Sequence, residues 1–197
     1  MNTGDDARLD HIAPTYVRRE HHDEVSAYLR PGGFVLIAGV SAAGKSRLAF
    51  ETISAQLPGH RLLVPEGELQ AVAEEAVATR KCVVWLDDLE RFLGDGRLST
   101  TVVDKILAGN GHHRVIVATI RREELSRLKD DPDRLDDRRR VLERANIVEL
   151  EDTFTAAELE RAEKLRWDPR IDDALRNASG HVIEYLAAGP ELVQRRL

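Results

Sequence analysis

One cysteine in 197 residues, Cys82, leaves no partner for an internal disulfide. The chain therefore lacks the crosslinks of small secreted domains, and a reducing, cytoplasmic setting is expected. Cys82 heads an apolar run and reads as a core side chain. Long hydrophobic stretches are missing as well: none approaches the roughly 20 apolar residues of a membrane helix. The start, Met1-Asn2-Thr3-Gly4-Asp5-Asp6, is acidic where a signal peptide would be basic and then apolar. An excess of positive charge is also absent. Net charge is −6 and the isoelectric point is near 5.7. That balance argues against a membrane partner and against nucleic acid held through its phosphates. Five lysines stand against 24 arginines, a skew read as genomic base composition rather than chemistry. No internal repeat and no low-complexity tract occurs. What the chain does have is length enough to bury a core without staples, in one domain with a small appendage.

The most specific stretch is Gly39-Val40-Ser41-Ala42-Ala43-Gly44-Lys45-Ser46. It fits G-x-x-x-x-G-K-[ST], the phosphate-binding loop pattern. Phe34-Val35-Leu36-Ile37-Ala38 before it reads as a buried strand, and the residues from Ser46 to Ile53 after it read as a helix. That context makes a cradle of backbone N–H groups at a helix N-terminus, suited to an anion. Lys45 would reach the β- and γ-phosphates of a nucleoside triphosphate, and Ser46 would ligate Mg²⁺.

Residues 1–15 read as a loose arm, 16–152 as the nucleotide-binding core and 153–197 as a small helical lid. A helix is expected over 17–30, stopped by Pro31-Gly32-Gly33. The loop's helix should run to Leu57, with Leu48, Ala49, Ile53 and Leu57 facing the sheet. Strands are expected at 61–64, 82–86, 115–119 and 147–150. Helices should cover 68–79, 89–109 with a break at Gly94-Asp95-Gly96, and charged residues 121–145 interrupted at Asp131-Pro132. Beyond Thr153 only helices are expected, at 155–166, 170–177 and 181–195. Strands alternating with helices imply an α/β fold, a three-layer sandwich around a parallel five-stranded sheet.

Val83-Val84-Trp85-Leu86-Asp87 is a hydrophobic strand closing on an acid. Asp87 would hold the Mg²⁺ water shell opposite Ser46. Asp88 stands where many ATPases carry the glutamate that polarises water; it is expected to position water or to cap a helix, with Glu90 a second candidate. Thr119 ends the fourth strand in this reading and would sense a γ-phosphate, and Arg121 would reach the same group with its fork. His21-His22 and His112-His113 lack the i,i+4 spacing of a helical metal site and read as surface. Arg138-Arg139-Arg140 reads as a solvated face rather than as an arginine finger. Trp85 reads as core, and Trp167 as packing the lid onto the core.

Together these residues resemble the STAND branch of P-loop ATPases, relatives of AAA+ proteins that include the NB-ARC and NACHT groups. Gly39–Ser46 resembles Walker A, and Leu86-Asp87-Asp88-Leu89 the Asp-Asp form of Walker B. Thr119-Ile120-Arg121 resembles the family's Thr-Thr-Arg sensor. Val17-Arg18-Arg19-Glu20 is similar to the hydrophobic-Gly-Arg-Glu motif that borders the adenine, with Arg18 in place of the glycine, so Arg19 carries over. Gly180-His181-Val182-Ile183-Glu184-Tyr185-Leu186 resembles the lid helix without its proline. The stretches Leu29–Leu36, Gly44–Glu51 and Leu86–Arg91 are most similar to the amino-terminal ATPase domain of actinobacterial tetratricopeptide-repeat proteins. The resemblance implies nucleotide contacts from Gly39, Ser41, Ala42, Ala43, Gly44, Lys45, Ser46, Arg47 and Arg19. It implies Mg²⁺ on Ser46 and Asp87, and catalytic roles for Lys45, Asp88, Thr119 and Arg121. It also implies ATP and ADP as ligands, and either self-association or a downstream repeat or effector domain as partner. A chain ending at Leu197 without those repeats reads as a trimmed piece or a stand-alone version.

The expected activity is slow ATP hydrolysis acting as a conformational switch. Two other readings are a module that holds nucleotide without turnover and a small-molecule kinase. A strand inserted between that of Ala38 and that of Asp87 favours the ATPase over the kinase. No Asn/Thr-Lys-x-Asp guanine signature occurs, so adenine is favoured.

Overall fold

The computed structural model describes residues 15–65, 69–93, 98–109, 111–130, 137–178 and 181–188. The 1–14 arm, Gly94-Asp95-Gly96, Asp131-Pro132, Gly180 and everything after 188 lie outside the described residues. The chain divides into two compact units. One comprises His21–Ser41 and Lys45–Leu150; the other comprises Met1–Glu20, Ala42–Gly44 and Glu151–Leu197. Residues 16–20, read from the sequence as the start of the core, group with the C-terminal helices.

The first unit is α/β. Its elements are α1 (His22–Tyr28), β1 (Phe34–Gly39), α2 (Lys45–Gln56), β2 (Arg61–Leu63), α3 (Leu69–Ala78), β3 (Lys81–Leu86), a 3₁₀ turn (Leu89–Arg91), α4 (Thr100–Leu107), β4 (His113–Arg121), α5 (Arg122–Asp130), α6 (Asp137–Glu143) and β5 (Asn146–Glu149). All five strands are parallel, in the order β2-β3-β4-β1-β5. β1 is buried along its whole length, as a strand covered on both faces must be. Successive side chains alternate between faces. Phe34, Leu36 and Ala38 join Val84, Leu86, Ile116 and Ala118 in one core, closed by Leu69 and Ala73 of α3, Val103 and Ile106 of α4, Leu125 of α5 and Val141 of α6. The intervening Val35, Ile37, Val83, Val115 and Val117 are buried too, and α1 and α2 pack against β1. The expected stripe on α2 is in place: Leu48, Ala49, Ile53 and the following Leu57 are all buried.

Several boundaries differ from the sequence reading. The first helix starts at His22, not at 17. Val17 is instead buried with Ala162 and Ile171 in the other unit, so packing outweighs helical periodicity there. The helix expected from 89 is reduced to the 3₁₀ turn before α4. β4 runs on to Arg121, so Thr119 lies inside the strand rather than at its end. His22 is buried, with Nδ1 3.4 Å from Thr52 Oγ1, and His21, His112 and His113 are half-buried. Of the four, His22 departs from the surface placement expected, packed against α2 at Thr52. Trp85 is half-buried.

Arg114 organises the amino edge of this sheet. It is 5% exposed and donates to the carbonyls of Val77, Thr79 and Ala108 at 2.5, 2.9 and 2.9 Å. These carbonyls lie at the ends of α3 and α4, where helix C-termini leave acceptors unpaired and favour a cation.

The second unit holds α7 (Ala156–Glu163), α8 (Pro169–Asn177) and α9 (Val182–Ala188). α7 begins with a capping box between Thr155 and Glu158. α8 is capped by Asp168, with Pro169 in its first turn. Asp168 is buried and also accepts from the N–H and hydroxyl of Thr15, at 2.8 and 2.9 Å. Burial pushes its carboxyl up, but the hydrogen bonds from Arg170 and Thr15 outweigh that and hold it well below the usual carboxylate range. Trp167 is 71% exposed. The expectation that it packs one part of the chain onto another is therefore wrong: Asp168 and Pro169 turn the chain there, and the apolar contacts of the turn are made by Ile171 instead.

Candidate functional site

The carboxyl edge of the sheet brings most of the predicted residues together. β1 ends at Gly39, opposite Arg121 of β4, and β3 ends beside Ala118. Asp87 and Asp88 follow β3 directly. Ser46, on the first turn of α2, donates its hydroxyl to Asp87 Oδ1 at 2.8 Å. Thr119, 1% exposed, donates to the same oxygen at 2.6 Å and accepts from the Asp88 N–H at 3.0 Å. Asp88 is held at φ 56°, in the left-handed region that Asp tolerates better than most residues.

Lys45 folds back over the start of its own loop. Its Nζ donates to the carbonyls of Gly39 and Val40 at 3.0 and 2.8 Å. Burial pushes its pKa down, while Asp88, Asp87 and Glu90 push it back up. Glu90 is half-buried, with Oε2 unpartnered. Burial raises its pKa, and its own backbone hydrogen bond opposes this. Arg121 Nε lies 3.8 Å from Glu90 Oε1 with the Arg121 side chain 57% exposed, so a long, open ion pair links the two candidate side chains. Arg47 pairs with Glu51 one turn along α2, at 2.7 Å. Ser41 and Ser46 are solvent-exposed.

Ala42, Ala43 and Gly44 of the same loop group with the helical unit. Gly44 has φ 81° and Ala42 φ 61°. An alternation into left-handed backbone turns successive N–H groups to one side, the geometry of an anion nest. At Gly44 the conformation calls for glycine; at Ala42 an alanine carries it at a cost. Ala42→Gly should therefore raise stability by about 0.5–1 kcal/mol, the gain from removing Cβ strain less glycine's extra chain entropy. Urea denaturation checks this, and a lower midpoint for the variant contradicts it.

Within that unit Arg19 is 5% exposed. Its Nε donates to Glu158 Oε1 at 2.9 Å, Nη1 to the Ala43 carbonyl at 2.9 Å and Nη2 to the Glu151 carbonyl at 3.1 Å. Its guanidinium also lies 5.4 Å from the centre of the Phe154 ring. All three guanidinium nitrogens are engaged by protein groups, one of them on the loop itself.

No family model matches this sequence, and no curated protein matches it.

Among the described residues no cluster of three or more His, Cys, Asp or Glu side chains forms a metal cage. Ser46 Oγ and Asp87 Oδ1 offer a sparser donor set, one hydroxyl and one carboxylate on an exposed edge. Such hard, sparse donors fit Mg²⁺, which keeps several waters and takes the remaining oxygens from phosphates. Among the described residues no helix is long and apolar enough to cross a membrane.

Sequence reading missed Glu158, the buried partner of Arg19. The Thr155…Glu158 spacing announces a capping box, but nothing local announces an arginine 139 residues away. It also missed the left-handed backbone at Ala42 and Asp88, which residue types alone do not signal.

Proposed function

We propose that this chain is a Mg²⁺-dependent ATP-binding switch of the STAND type, with slow hydrolysis of the γ-phosphate. The observation that carries the reading is strand order. β4 lies between β1, which feeds the glycine loop, and β3, which ends at Asp87. An inserted strand is the arrangement expected of the ATPase branch and not of the small-molecule kinases. The strand at 61–63, adjacent to β3 on its outer side, is not the one inserted.

Four further features support the reading. Lys45 is poised on the loop for a phosphate. Ser46 and Asp87 already share a hydrogen bond where Mg²⁺ would sit. Thr119 ties the Asp87 carboxylate to the Asp88 backbone. Arg121 stands in register with Gly39 and is exposed enough to leave Glu90 for a more strongly charged anion. In this proposal Mg²⁺ supplies charge neutralisation on the phosphates. Lys45 and Arg121 add positive charge as the bond to the leaving phosphate breaks, and Asp88 or Glu90 orients the attacking water. Glu90 has a buried oxygen without a partner and a pKa raised by burial, features that suit a proton acceptor.

The test is calorimetric titration with ATP·Mg²⁺, ADP·Mg²⁺ and GTP·Mg²⁺, beside phosphate release measured over hours and identification of any nucleotide retained through purification. Saturable adenine-selective binding that weakens when Mg²⁺ is chelated, with slow phosphate release, is the expected outcome. Binding without release would leave a nucleotide-holding module. Absence of saturable binding would overturn the proposal.

A further inference from the structure

At the other end of the strands lies a second, differently charged cleft. It has a volume of about 730 Å³ and is lined by Pro31, Arg80, Lys81, Gly111, His112 and His113. Lys81 opens β3 and His113 opens β4, and the two are register partners. This is the amino edge of the parallel sheet, so the cleft is separate from the edge that carries Asp87 and Arg121.

Helix C-termini gather at this edge, and their carbonyls call for cations. That demand is met by other side chains. Arg114 takes three carbonyls at the ends of α3 and α4, and His113 Nε2 lies 2.8 Å from the Leu29 carbonyl at the end of α1. Arg80 and Lys81 remain, both exposed, and among the described residues neither is paired with a carboxylate. The carboxylate of Glu75 on α3 is held by Arg61 at 2.5 Å.

Behind the cleft, His60 stands edge-on to His113 with ring centroids 4.4 Å apart. Both ring nitrogens of His60 and Nδ1 of His112 are buried without a partner. Burial lowers the His60 pKa, and the neighbouring His113 and Lys81 lower it further. A chain of net charge −6 thus concentrates two unpaired cations and three imidazoles at one concave place.

We propose that this cleft binds the phosphate group of a phosphorylated small molecule. The Arg80 guanidinium fork and the Lys81 ammonium, set in a concave wall that His112 and His113 complete, match a phosphate's several acceptor oxygens. The volume lies within the range of metabolite-sized sites and well above that needed by the phosphate alone. Among the described lining residues none is a carboxylate, so the charged groups of the wall are all cationic.

The probe is pyrophosphate, followed by imidazole NMR of His112 and His113 at constant pH and ionic strength. The titration uses the Lys45→Ala variant, so that occupancy of the glycine loop does not enter the readout. Saturable shifts with a Kd at or below about 1 mM are expected. Adding Arg80→Ala and Lys81→Ala, both at exposed positions, should weaken the affinity at least tenfold without moving the unfolding midpoint. Loss of nucleotide binding elsewhere would leave this result unchanged. Failure to saturate by tens of millimolar, equal affinity in the triple variant, or the same shifts produced by chloride would each overturn the proposal.

Discussion

Phosphate release from ATP·Mg²⁺ is expected to fall by roughly 10²–10³-fold in Lys45→Ala, the size of loss seen when one preorganised transition-state donor is removed. Lys45 is 8% exposed and rests on the Gly39 and Val40 carbonyls at 3.0 and 2.8 Å. Both carbonyls accept from the ammonium and hold it at the loop. Burial disfavours its charge, and Asp88, Asp87 and Glu90 restore part of it. An arriving phosphate adds more negative charge and so strengthens the ammonium form. Alanine removes this charge and also leaves two carbonyls to find other donors, which costs about 1–3 kcal/mol if they stay buried. The unfolding midpoint must be measured beside the rate. A variant that folds at a similar midpoint but releases no phosphate supports the proposed role. One that hydrolyses at the parent rate removes Lys45 from the chemistry.

Arg19→Ala should destabilise the protein by about 3–5 kcal/mol, because it leaves a buried carboxylate without its counterion. The side chains of the pair are 5% and 1% exposed. Glu158 keeps the Glu20 N–H at 2.8 Å and the Thr155 N–H at 3.0 Å, and two amide donors do not replace a guanidinium. The carbonyls of Ala43 and Glu151 lose their donor in the same step. Arg19→Lys keeps the charge but loses the fork, so an intermediate loss is expected. Replacing both partners, Arg19→Met with Glu158→Leu, should recover the part of the loss that comes from the unpaired charge, while the Ala43 and Glu151 carbonyls and the Glu20 and Thr155 N–H groups stay without their partners. Urea unfolding of the three variants measures this. A single variant costing less than about 1 kcal/mol would mean that water reaches Glu158 and that the pair is not buried in solution.

The parts of the fold written as local pattern were legible. The apolar run of β1, the glycine loop and the stripe on α2 stand in one continuous stretch, and each sets up the next. The acid after β3 was legible for the same reason, a buried strand ending in a charge at an exposed edge. Strand order was not, because pairing β1 with β4 joins segments about 80 residues apart and no periodicity encodes it. Residues 17–21 show the opposite failure. Their helical spacing is real, yet Val17 and Arg19 are drawn to Ile171 and Glu158, and tertiary burial outweighs a few tenths of a kcal/mol per residue in propensity. The amino-edge cleft was missed because its residues come from separate loops, and paired histidines were judged by metal spacing alone.

The hydrogen bonds at Thr119 can run in one direction only. An amide N–H gives and never receives, and an ionised carboxylate receives and never gives. With the Asp88 N–H on one side and Asp87 Oδ1 on the other, the proton of Thr119 has a single orientation. The Ser46 proton is aimed at the same oxygen, which leaves the serine lone pairs turned outward. Whatever claims Asp87 Oδ1, a proton or a cation, must turn both hydroxyls. If the Thr119 side chain changes rotamer with its hydroxyl, the Asp88 N–H loses its acceptor. A cation held between Ser46 and Asp87 would therefore be felt at the Asp88 backbone, two residues beyond the strand.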